Sequence, residues 1–69
     1  MGNAVGANIR RLRLDLKMTQ HDLAVKLGRK SKSVVCNWET GPTTPPSKLL
    51  PKIAEVLDTT IDELFREAA

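Results

Sequence analysis

The chain has 69 residues and a mass of 7.6 kDa, room for one small domain spanning 1–69 and not for a two-domain enzyme. With 41% hydrophobic and 28% charged residues and a single cysteine, it is a folding globular chain, neither a disordered tract nor a disulfide scaffold. The net charge of +3 hides an asymmetry: Arg10, Arg11, Arg13, Lys17, Lys26, Arg29, Lys30 and Lys32 precede Gly41 against only Asp15, Asp22 and Glu39, a segment charge of +5, and the remainder carries −2. A one-sided basic surface calls for a polyanionic partner, unless it is simply a solvated helix face, and the spacing of the residues has to separate the two.

Val5, Ile9, Leu12 and Leu16 recur at helical spacing, which predicts a helix from about Ala4 to Lys17 with Arg10, Arg13 and Lys17 on a flanking face. Thr19 stands three residues before Asp22 in a capping-box arrangement, so a second helix is expected near Gln20, burying Leu23, Ala24 and Leu27 and stopping at Gly28. Ser31 or Ser33 can cap a third helix, about 31–40, ended by Gly41 and Pro42. At 100° per residue, Val34, Val35 and Trp38 gather on one side of it, and Lys32, Ser33, Cys36, Asn37 and Thr40 gather on the other.

Pro42, Pro45 and Pro46 make the stretch from Gly41 to Ser47 an extended or turn-rich connection. Leu49, Leu50, Ile53, Ala54 and Leu57 describe a fourth helical face, with Pro51 admissible only in or beside its first turn. A second capping box, Thr60 with Glu63, opens a fifth helix carrying Ile61, Leu64 and Phe65 and running nearly to the terminus. Nothing alternates in the manner of a strand, so the fold class is all-α, a compact five-helix bundle.

The chemistry-bearing residues are sparse. His21 is the only histidine and Cys36 the only cysteine, with no paired carboxylates and no glycine-rich phosphate loop, so catalysis is rejected and no metal or cofactor is expected. A lone cysteine fits a reducing compartment, the cytoplasm by default, and on the outward face of the third helix Cys36 reads as a small residue more readily than as an oxidation sensor. No apolar run is long enough to cross a membrane, and Met1 to Arg10 lack a signal-peptide hydrophobic region. Met1-Gly2 opens a myristoylation pattern that Gly6 does not complete. Trp38 is read as a core anchor rather than a base-stacking ring, His21 as a surface residue, and Phe65 as either core or part of a dimer seam.

A short helix, a glycine turn and a second short helix with a polar outer face match the helix-turn-helix. The string Val5-Gly6, Ile9-Arg10, Arg13, Thr19-Gln20, Leu23-Ala24, Leu27-Gly28, Val35, Trp38-Glu39, Gly41, Pro45, Leu50, Ile53-Ala54, Leu57, Ile61 and Leu64 resembles the phage repressor and Cro-like, XRE-type family, over about residues 5–65. That resemblance implies a lambda repressor-like DNA-binding domain whose second and third helices form the DNA-reading pair. It further implies a dimer on a near-palindromic operator, acting in transcription regulation as a repressor.

Carried over by position, the resemblance makes Lys32, Ser33 and Asn37 base-reading residues, and their side chains suit guanine, permissive and adenine contacts respectively. It makes Gln20, at the start of the second helix, a phosphate contact and Arg13 with Glu39 a structural bridge, and Arg10, Arg13, Arg29, Lys30 and Ser31 are read as further phosphate-binding residues. One departure stands out: ten residues separate Gly28 from Glu39 where the family pattern usually has nine, and the extra one falls at Arg29-Lys30. The alternative function is an antitoxin or adaptor module whose main partner is a protein, such as a toxin or a fused regulatory domain.

Overall fold

A computed structural model describes residues 4–67, so Met1-Gly2 lies outside the described residues. Among these, the chain forms α1 (Ala4–Asp15), α2 (Gln20–Lys26), α3 (Ser33–Thr40), a short 3-10 helix (Ser47–Leu49), α4 (Leu50–Val56) and α5 (Ile61–Leu64), with no strands. The all-α, five-helix expectation is met. Helix α1 packs on α3 and α5, α2 packs on α3, and α4 joins α5 to the 3-10 helix. One core results, built on Val5, Ile9, Leu23, Val35, Trp38, Ile53, Leu57 and Leu64.

The ends of the helices are set by local hydrogen bonds. Thr19 Oγ1 accepts from the Asp22 amide and Asp22 Oδ2 accepts from the Thr19 amide, each at 3.0 Å, completing the expected capping box. The bond from the Thr19 amide holds the Asp22 carboxyl below its ordinary range. A group depressed in this way stabilises fully above the usual carboxylate range, and its contribution is lost as pH falls through the lowered folded value. The box expected at Thr60 is half formed: Thr60 Oγ1 accepts from the Glu63 amide, while the Glu63 carboxylate turns toward Arg66 and Arg11 instead.

Helices α1, α2 and α4 end alike. In each, the residue after the last turn takes a left-handed conformation while paired 6→1 and 5→2 bonds close the end: Met18 to Arg13 and Lys17 to Leu14, Arg29 to Ala24 and Gly28 to Val25, Thr59 to Ala54 and Asp58 to Glu55. Glycine fills that position only once, at Gly28 with φ 73°; Lys17 at φ 59° and Asp58 at φ 55° carry side chains there. Left-handed backbone costs a residue with a Cβ about 1–2 kcal/mol, part of which glycine gives back through its more disordered unfolded chain. Asp58→Gly is therefore expected to stabilise the domain by about 0.5–1 kcal/mol, and a denaturant midpoint at or below that of the parent would refute the assignment.

Three expectations need correction. Helix α1 stops at Asp15, because the chain turns left-handed at Lys17, and Leu16, assigned to the buried stripe, is 44% exposed. Helix α3 begins at Ser33, not near 31, because the Ser31 hydroxyl accepts from the Ser33 amide and holds Ser31 and Lys32 ahead of the first turn. Helix α5 ends at Leu64; Leu64 is in the core but Phe65 is 52% exposed. Pro51 does sit in the first turn of α4.

Two residues fix α1 against the rest. Gly6 is buried where α1 meets the backbone of α3 at Trp38. Asn8, also buried, donates from Nδ2 to the carbonyls of Leu64 at 2.8 Å and Arg66 at 2.6 Å, supplying partners that the end of α5 lacks. Its place on the inner face, between Val5 and Leu12 at helical spacing, was the sequence signal for it.

Candidate nucleic-acid interface

Val35 and Trp38 hold α3 from within, at 0% and 3% exposure, and Val34 packs beside them half-buried. The opposite side of the helix is thereby turned outward: Ser33, Asn37 and Thr40 are exposed, as is Lys32 just before it, and Cys36 is half-buried among them. Thr40 spends its hydroxyl on the Cys36 carbonyl. The side chains of Lys32, Ser33 and Asn37 make no hydrogen bond or ion pair among the described residues. Unspent donors and acceptors on a rigid helix are what groove readout needs, since every polar atom is available to a base edge and no internal bond must break first.

Behind this face lies a buried polar network. Arg13 donates from Nε to Glu39 Oε2 at 2.7 Å and from Nη2 to Glu39 Oε1 at 3.0 Å, a bidentate pair whose side chains are only 8% and 2% exposed. Arg13 Nη1 donates to the Met18 carbonyl at 2.7 Å, tying the pair to the α1–α2 turn. Gln20 Nε2 donates to Glu39 Oε1 at 3.1 Å. Glu39 thus joins α1, the start of α2 and the end of α3 through one carboxylate.

The bridge between Arg13 and Glu39 is present in this geometry. The Arg13 guanidinium donates from Nε, Nη1 and Nη2 to internal acceptors. Gln20 remains half-buried at the surface, with its amide oriented by Glu39. The family resemblance pairs Arg13 with Glu39 but does not bring in Gln20, which meets the carboxylate only once α2 and α3 are packed.

Arg10, Arg29, Lys30 and Ser31 are all exposed. Arg10 projects from the middle of α1, whereas Arg29 to Lys32 form the segment between Gly28 and the first turn of α3. His21 is exposed at the start of α2. No helix among the described residues is long and apolar enough to cross a membrane.

A helix-turn-helix family model, of the XRE type that includes Cro and C1, matches residues 9–64. A comparison with curated proteins returns no match. The matched span runs from the inner face of α1 to the core residue that closes α5, and so takes in the whole reading pair together with the network behind it. That family consists of DNA-binding regulators and not of enzymes. By this match and by a fold that turns the polar side of its third helix to solvent, the chain belongs to the XRE-type, Cro- and C1-like helix-turn-helix family and binds DNA.

Proposed function

We propose that the chain is a sequence-specific transcriptional repressor that binds a near-palindromic operator as a dimer, with α3 in the major groove of each half-site. The observation that carries this is the outward face of Lys32, Ser33 and Asn37, unpartnered among the described residues and held from behind by Trp38. In this reading Asn37 pairs with adenine, Lys32 donates to guanine, and Ser33 accepts either partner. Gln20 fixes register on a phosphate, and Arg10, Arg29, Lys30 and Ser31 add contacts blind to sequence. The segment charge of +5 supports the polyanionic partner.

Selection of bound duplexes from a random pool tests specificity and dimer geometry together. The expected outcome is two inverted half-sites with centres about one helical turn, or 34 Å, apart. On the selected operator, Asn37→Ala should cost about 1–3 kcal/mol and relax preference at one base pair, whereas Lys30→Ala should weaken every duplex and lower the salt slope by about one. Unchanged discrimination by Asn37→Ala would remove that residue from the reading face. Failure to retain any duplex near 50 mM salt would turn the reading toward a module that docks a protein partner.

A further inference from the structure

The left-handed residues at Lys17 and Asp58 do the same backbone job, but their surroundings differ. Asp58 is exposed at the turn after α4. Lys17 lines an open concavity formed by the α1–α2 turn, the start of α2 and the lead into α3, together with Gln20, His21 and Lys32. No carboxylate lines that concavity. The charge of Arg13, at its inner wall, is offset by Glu39, but Lys17 and Lys32 make no ion pair among the described residues. Lys17 and Lys32 therefore line the same concavity as Gln20, on a surface contiguous with the base of α3.

A lysine is a costly choice for a position where glycine would relieve the backbone, and local rules broken at a surface concavity point to use of the side chain. Resting on the DNA-binding reading above, we propose that Lys17 is a DNA phosphate-binding residue, gripping the same backbone phosphate that Gln20 registers. The compact ammonium suits a point contact with a phosphate oxygen, and the left-handed turn projects it from the end of α1 without lengthening the helix. This contact adds affinity equally for all sequences and carries no base preference.

The test rests on two responses that a merely structural residue would not separate. Lys17→Gly relieves the backbone, so its Tm should rise by about 2–8 °C. The same variant should bind about five- to tenfold more weakly at 0.1 M salt, to the selected operator and to an unrelated duplex of equal length alike, with a salt slope lower by about one. Lys17→Gln should show the same loss of slope, Lys17→Arg should retain it, and Asp58→Gly should gain stability with no loss of slope. An unchanged slope in Lys17→Gly and Lys17→Gln, or a loss confined to the operator, overturns the assignment while leaving the DNA-binding reading intact. Absence of salt-dependent binding by the parent protein to either duplex overturns both.

Discussion

Glu39→Ala is expected to destabilise the domain by about 3–5 kcal/mol, the usual cost of removing one partner from a buried ion pair. The reason lies less in the lost attraction than in what remains. With Glu39 gone, the buried Arg13 side chain keeps only the Met18 carbonyl as an acceptor, and its charge is uncompensated. A domain of this length holds about 3–10 kcal/mol in total, so the variant should be largely unfolded or close to it. Urea or thermal denaturation followed by circular dichroism reads this directly. The double replacement Arg13→Met with Glu39→Met should recover much of the loss, because it removes both charges from the interior together. A double variant as unstable as Glu39→Ala would mean that packing around these side chains, and not charge, dominates the site.

That double variant also separates stability from recognition. Without the Glu39 carboxylate, Gln20 loses the acceptor that orients its amide, while Ser33 and Asn37 keep their places on α3 and Lys32 its place just before it. Binding to all duplexes should weaken while discrimination between them persists if, as proposed, Gln20 serves register and the α3 face serves choice. A folded double variant with unaltered affinity would show that the amide needs no such support.

Much of this arrangement can be read from spacing alone, and the exceptions share a cause. The inward and outward sides of α3 follow from rotation by 100° per residue with Trp38 as the marker, and those of α2 from Leu23, Ala24 and Leu27. Gly28 announces its helix end through residue type. Lys17 and Asp58 do not: their left-handed backbone is imposed by the bonds that close α1 and α4, which nothing in a lysine or aspartate foretells. Leu16 misleads for the same reason, continuing an apolar period past the point where the chain has already turned. The contact from Gln20 to Glu39 and the hold of Asn8 on Leu64 and Arg66 span distant parts of the sequence and exist only after the helices assemble.

The same dependence on assembly governs Gly6→Ala, which is expected to destabilise by about 3 kcal/mol or more. Two effects of opposite sign compete. In an isolated helix alanine is favoured over glycine by about 1 kcal/mol, so propensity alone predicts a gain. A Cβ at Gly6, however, would overlap the Trp38 carbonyl oxygen and lie 2.9 Å from the Trp38 carbonyl carbon and 3.4 Å from Glu39 Cα. These are backbone atoms of a helix pinned by Val35 and Trp38 and by the Arg13–Glu39 pair, so no flexible side-chain end can swing aside. Overpacking commonly costs about 1–3 kcal/mol and exceeds that when backbone must move. The clash therefore wins over propensity, and relief requires α1 and α3 to separate. Separation would tilt α3 and move Asn37, so under the proposed reading any folded fraction should bind the selected operator less well than the parent. A variant of equal or greater stability would show that α1 does not approach α3 this closely, and with that the support behind the reading face would be lost.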